Sequence, residues 1–354
     1  MKRFLLILMC LLCLNHSAFP GIIASKIYVE PDPKPNMTEK YVPLKLYKTL
    51  GPEIAPDVFI YLPISLTLDK DGNLFVFDRA QHRIVQMNKD LQFVRFIGSA
   101  GEGEGQFYKS PKAAVFLNFG LDNKLYCADS VAQKIIVFDN KGRYIKEIFF
   151  PKGQFGKPLV DAGGQVYFFS GNSREIVAHN QNGEMTLKIP VNARHAFSMM
   201  FRKQKIYKNN FNLFFMYTIM EPDNMLLYFA NSSLMYSVRR NEIFKEYRIL
   251  PQDLLSEYKK KIDKLEGKSL QIPLFARLIP DSDTNESYYL PHIKNQTTNR
   301  SLIYQMNLGG ELERTYYVEY DQAAGGIWIL AKKNNFFYAR RTRDEVIEIY
   351  REEE

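Results

Sequence analysis

An internal repeat constrains this chain more than any other feature. Leu74-Phe75-Val76-Phe77-Asp78 and Leu125-Tyr126-Cys127-Ala128-Asp129 lie 51 residues apart, and each Asp is followed five positions later by a cation, Arg83 or Lys134. Each cation opens a second apolar run, Ile84-Val85-Gln86-Met87 or Ile135-Ile136-Val137-Phe138, which ends in turn chemistry at Lys89-Asp90 or Asn140-Lys141-Gly142. A third copy, Val166-Tyr167-Phe168-Phe169-Ser170 before Ile176-Val177-Ala178-His179, follows 41 residues on, with Ser170 in place of the Asp. Weaker copies continue at Leu227-Tyr228-Phe229-Ala230-Asn231 with Met235 to Val238, at Tyr288-Tyr289-Leu290 with Leu302 to Met306, and at Ile327-Trp328-Ile329-Leu330 with Phe336 to Ala339. The runs are rich in Val, Ile, Phe and Tyr and lack a 3.6-residue period, so the units read as β-sheets and not as a helical solenoid.

Six units at about fifty residues each account for nearly all of the 354 residues as one body, the expected span being 41–354. The 46% hydrophobic and 14% aromatic content suits a packed core. A ring of sheets must close, because an open last sheet exposes an edge strand. Tyr41 to Gly51 precedes unit one as Tyr144 to Ile148 precedes unit three. It is therefore read as an outer strand completing the sixth unit, whose inner strands come from 320–350. Residues 25–40, with Pro31, Pro33 and Pro35, read as an extended lead-in.

The motif resembles the NHL repeat of six-bladed β-propellers of the exported bacterial type. The resemblance rests on Gly101-Glu102-Gly103-Glu104-Gly105-Gln106-Phe107, Pro111, Leu125 to Ser130, Lys134-Ile135 and Val137-Phe138-Asp139, with Pro63, Asp69, Asp71-Gly72-Asn73, Asp78 and His82-Arg83-Ile84 in unit one. It is specific over 60–150, fades through 190 and continues on spacing alone. Three residues separate Phe107 from Pro111 where the family more often has two. The resemblance implies an all-β, six-bladed propeller closed by an N-terminal strand. Asp78 and Asp129, at strand ends, are expected to accept backbone N–H bonds from the following loop.

Met1-Lys2-Arg3 followed by the apolar run Phe4 to Leu14 reads as a secretory signal over 1–24, with cleavage near Ser25. Lipid attachment at Cys10 or Cys13 is the rival, disfavoured by Met9 and Leu12 at the preceding positions. An exported chain would reside in the periplasm or at the cell surface. Without the signal only Cys127 remains, so no internal disulfide can form, and Cys127 is expected to be a buried hydrophobe. The balance is then 45 basic against 39 acidic side chains, spread along the chain, which disfavours nucleic acid as a partner.

Three segments exceed the repeat: 190–210, 251–268 and 281–300. In the second, Leu254, Leu255, Tyr258, Ile262 and Leu265 share one face of an expected amphipathic helix, with Asp253 as N-cap. The first interleaves Arg194, Arg202, Lys203, Lys205 and Lys208 with Phe197, Phe201 and Tyr207. These five cations are the candidate partner-binding residues, suited to a protein or to an acidic glycan or lipid. No catalytic, metal-ligating or cofactor-binding residue is expected, and no cofactor. His82, His179, His195 and His292 show no metal-ligand spacing. The expectation is a monomeric, non-catalytic binding or scaffolding module. The alternative is a metal-dependent lyase or hydrolase on the same fold, a choice that fold alone does not make.

Overall fold

The computed structural model describes residues 28–29, 41–111, 114–150, 154–161, 163–170, 175–190, 215–221, 224–229, 234–239, 242–248, 279–281, 283, 287–291, 300–307, 312–319, 327–341 and 346–352. The expected signal segment, the five candidate cations and the expected helix over 251–268 lie outside them. All regular structure among the described residues is β.

Unit one forms an antiparallel meander of Pro63–Leu68, Leu74–Asp78, Arg83–Met87 and Phe93–Ile97. Unit two repeats it with Val115–Phe119, Leu125–Asp129, Lys134–Phe138 and Tyr144–Phe149. Unit three does so with Gln154–Val160, Val166–Ser170, Glu175–His179 and Met185–Pro190. In the fourth sheet, Phe215–Glu221, Asn224–Phe229, Leu234–Arg239 and Glu242–Arg248 are joined by Tyr28–Val29, which pairs in parallel with Glu246 and Tyr247. Part of the expected lead-in thus serves as a fifth strand.

The apolar runs are continuous because both faces of these sheets are covered. Side chains alternate across a strand. Leu74 and Val76 point into a core shared with Ile347 and Ile349, while Phe75 and Phe77 point into one shared with Leu117, Leu125, Cys127 and Ile136. The next strand repeats the division, with Tyr126 and Ala128 turned toward Val160, Val166 and Phe168. Every residue of Leu74–Asp78 and Leu125–Asp129 is buried, as expected for strands covered on both sides. The fourth strand of the first sheet, Phe93–Ile97, is largely open to solvent and lies at its rim.

The last two units are fused into one eight-stranded sheet. Ile279–Pro280, Ser287–Pro291, Arg300–Asn307 and Leu312–Glu319 lead into Tyr41–Leu50, which is followed by Ile347–Glu352, Phe336–Arg341 and Ile327–Lys333. Tyr41 to Pro43 pair in parallel with Thr315 to Tyr317, and Leu44 to Leu50 pair antiparallel with Glu352 to Ile347. The N-terminal strand therefore takes the outer place beside the C-terminal one, and it also bridges to the preceding four strands, which sequence reasoning did not anticipate.

One alignment needs correction. Elsewhere the matched runs are second and third strands, but Ile327 to Leu330 and Phe336 to Ala339 are the first and second of their group. A tight turn at Asn334, in the left-handed region at φ 49°, brings these two strands close in sequence and mimics the spacing of a later hairpin. The first strands pack against one another in sequence: Pro63–Leu68 on Val115–Phe119, that on Gln154–Val160, then Phe215–Glu221, Ile279–Pro280, Ile327–Lys333 and back to Pro63–Leu68.

Candidate functional site

Each first strand starts at what we call the leading end of its sheet, and by antiparallel alternation each second and fourth strand finishes there. Asp78 ends a second strand, and its carboxylate accepts the N–H groups of Tyr61 (3.1 Å), Leu62 (3.0 Å) and Ala80 (3.0 Å). Asp129 does the same for Tyr108 (2.9 Å), Val131 (3.0 Å) and Ala132 (3.0 Å). The expected bonds to the following loop are present. The preceding loop is bound as well, so each carboxylate ties the incoming chain to the outgoing one.

His82 carries this tie between neighbouring sheets. Its Nδ1–H donates to the Arg79 carbonyl, while Nε2 accepts the Ser110 N–H at 3.0 Å. That pair of bonds requires the neutral imidazole. Burial lowers its pKa below the ordinary histidine value, against the opposing pull of Asp129. Two of the three residues between Phe107 and Pro111 thereby gain a role: Tyr108 reaches Asp129, and Ser110 reaches His82. The repeated cation has two solutions, with Arg83 stacked 3.5 Å from the Phe96 ring centroid and Lys134 Nζ 2.7 Å from Glu147 Oε1.

At the trailing end, carboxylates in the first turns meet tyrosine hydroxyls. Tyr126 donates to Asp122 (2.8 Å), Tyr167 to Asp161 (2.9 Å) and Tyr289 to Asp281 (3.0 Å). The last joins a larger network, in which Lys332 Nζ lies 3.1 Å from both Asp281 oxygens and 3.2 Å from Asp283 Oδ2, with Lys333 Nζ 2.8 Å from Asp283 Oδ1. Burial penalises the Asp283 carboxylate, but the two lysines outweigh it and hold its pKa below the usual range. Burial, reinforced by Asp281, raises the Tyr289 phenol. These groups satisfy one another, as buried polar groups must.

The leading end is different in character. Tyr61 and Trp328 are half-exposed and Tyr108 is more than a third exposed, at the starts of three neighbouring units. Tyr61 stacks on Phe59 at 5.8 Å. The strands that border residues 191–214, 249–278 and 292–299 also stop or start at this end. Sequence reasoning missed these aromatics because Tyr61 and Tyr108 lie 17 and 21 residues before their aspartates, which hides their equivalence in a fixed-period alignment.

Of the four histidines weighed as ligands, His195 and His292 lie outside the described residues. His82 belongs to the first sheet and His179 to the third, where its Nδ1 is 3.0 Å from the Gly183 carbonyl. No group of three or more His, Cys, Asp or Glu able to hold a metal is present among the described residues.

No protein-family model and no curated protein matches the sequence. Solved structures do. A member of the DUF4221 family from Bacteroides vulgatus, a β-propeller protein, is 10% identical with a TM-score of 0.58, covering 88% of this chain and 99% of its own. The chain has a β-propeller fold. A Bacteroides fragilis protein named as an exported one is 14% identical at a TM-score of 0.51, over 88% of this chain and 96% of its own. A streptogramin B lyase is 15% identical at 0.48, over 88% and 87%, a likeness that carries no argument about activity. Among the described residues no helix is long and apolar enough to cross a membrane.

Proposed function

We propose that this chain is an exported, six-bladed NHL-type propeller that acts as a binding or scaffolding module for a protein or glycan of the cell envelope. The reading rests on the contrast between its two ends. At the trailing end Asp122, Asp161, Asp281 and Asp283 are engaged with Tyr126, Tyr167, Tyr289, Lys332 and Lys333. At the leading end Tyr61, Tyr108 and Trp328 offer aromatic surface to solvent. Large, rigid aromatics are typical anchors of binding surfaces. The cycle of first-strand contacts supports six blades.

Arg194, Arg202, Lys203, Lys205 and Lys208 belong to the segment between Pro190 and Phe215, whose two flanking strands meet it at the leading end. Their charge would complement an acidic partner and supply a salt-dependent part of binding. Affinity capture from the native envelope tests the reading, with Trp328→Ala and Tyr61→Ala as variants and a five-cation-to-Ser variant alongside. The expectation is a partner lost with the aromatics and made salt-insensitive by removal of the cations. A partner retained by all variants would move the function elsewhere.

A further inference from the structure

A cleft of about 230 Å³ opens where the two ends of the chain meet, lined by Tyr47 and Lys48 of the closing strand, Lys89 to Leu91 of the first sheet, and Phe336, Tyr338 and Ile349. It stands on observations separate from those of the aromatic surface proposed above. Lys48 pairs with Ile349, which pairs with Tyr338, so three adjacent strands form its floor.

Two local irregularities shape it. The register slips between Leu46 and Lys48, leaving Tyr47 as the extra residue of a bulge, a device that re-aims side chains. Tyr47 thereby comes to lie 5.0 Å from Phe336, with the Arg351 guanidinium 5.0 Å from its ring centroid. The second irregularity is Leu91. In the sister turns, Gly142 and Gly183 adopt φ 76° and 83°, and their N–H groups bond back to Asp139 and Asn180 as Leu91 bonds to Asn88. Leu91 takes the same left-handed conformation at φ 62°. A side chain there is strained, and backbone strain of this kind gathers at functional positions. Leu91 is buried against the core that contains Leu50, Tyr338 and Ile349.

The chemistry of the lining is specific. Tyr338 is 5% exposed, and burial pushes its phenol up to about 12. Its hydroxyl has no protein hydrogen-bond partner among the described residues, whereas those of Tyr126, Tyr289 and Tyr350 are bonded to carboxylates. Lys48 and Lys89 contribute two exposed ammonium groups and Asp90 one carboxylate. The ring faces of Tyr47 and Phe336 provide apolar surface.

We propose that this cleft binds a single anionic sugar ring, a hexuronate. Its volume lies below the roughly 300–1,000 Å³ of sites for drug-sized ligands, which suits one ring. The ring's apolar face would lie on the aromatics, its carboxylate would meet Lys48 and Lys89, and its hydroxyls would meet Asp90 and the Tyr338 hydroxyl. Because the site draws on the closing strand, a turn of the first sheet and the strands Phe336–Arg341 and Ile347–Glu352, an occupant also holds the closing strand in place.

The test is calorimetric titration of the purified protein with sodium galacturonate and, separately, with galactose, followed by hydrogen exchange over Tyr41 to Leu50. Galacturonate is expected to bind at least about tenfold more tightly than galactose, the equivalent of one charge-assisted contact. Lys48→Ser and Lys89→Ser should each weaken it about tenfold, and Tyr338→Phe should weaken it without removing the charge preference. Lys141→Ser, in the sister turn of the second sheet, should change nothing. Exchange in the closing strand should slow on binding. Absence of binding in the tens of millimolar, equal binding of both sugars, or full affinity in both lysine variants would each overturn the proposal.

Discussion

Lys332 Nζ sits midway between the two carboxylate oxygens of Asp281, 3.1 Å from each, and so joins the first strands of the last two units across their junction. Both side chains are at least nine-tenths buried. Lys332→Met should destabilise the fold by about 3 kcal/mol, since it leaves a buried carboxylate uncompensated. The double variant Lys332→Met/Asp281→Asn should regain part of that loss, as measured by denaturant unfolding. Additive losses would mean that the pair is not coupled.

Asp78 and Asp129 should behave as equivalents. Either Asp→Ala substitution removes the acceptor for three backbone N–H groups, at a cost of about 2–3 kcal/mol. Asp→Asn should cost less, because one oxygen is retained. Hydrogen exchange should quicken at Tyr61 and Leu62 in the first variant and at Tyr108 in the second.

Much of this was legible in the sequence, and the reason is physical. Strands covered on both faces need unbroken apolar runs, so Leu74 to Asp78 and Leu125 to Asp129 announced themselves. The closing strand was legible because Tyr41 to Gly51 occupies the place in the repeat that Tyr144 to Ile148 occupies later. The assignment of Ile327 to Leu330 failed because any two strands joined by a tight turn share the same spacing. The roles of Tyr61, Tyr108 and Trp328 were not legible, since exposure depends on what packs above a residue and not on its neighbours in sequence. The seam cleft was hidden for a similar reason: it combines residues from 47 to 349, and the bulge at Tyr47 has no sequence signature.

His82 makes stability depend on pH. Its pKa is lowered in the folded state relative to the ordinary value near 6.5, so the unfolded chain binds more protons around that pH. The contribution is fully present above the unfolded pKa and is lost as pH falls from there through the lower folded value. Denaturant unfolding at a series of pH values should show this decline in the native protein. His82→Gln should flatten it, and an unchanged slope would assign the effect to other groups.

Cys127 should resist thiol reagents in the native state. It is fully buried among Phe75, Leu117 and Ile136, and burial drives its thiol well above the ordinary value. Labelling should follow global unfolding, with a rate that rises with denaturant as the folded fraction falls. Cys127→Ser should cost about 1–2 kcal/mol by burying a hydroxyl.

The pairing of Leu44 with Glu352 sets an order of events during synthesis. Leu44 to Leu50 must wait, with their hydrogen-bonding edge open, until Ile347 to Glu352 arrive. Over that interval Leu44 to Leu50 lack their antiparallel partner, and such edges recruit other chains. A nascent chain stalled short of Ile347 would therefore carry nearly all of the described strands and still lack a finished product. Deletion of Ile347 to Glu352 should prove as damaging as deletion of Tyr41 to Leu50. A chaperone that holds Leu44 to Leu50 until Ile347 to Glu352 are delivered would shield it, and the yield of folded protein should depend on how soon that later strand is made.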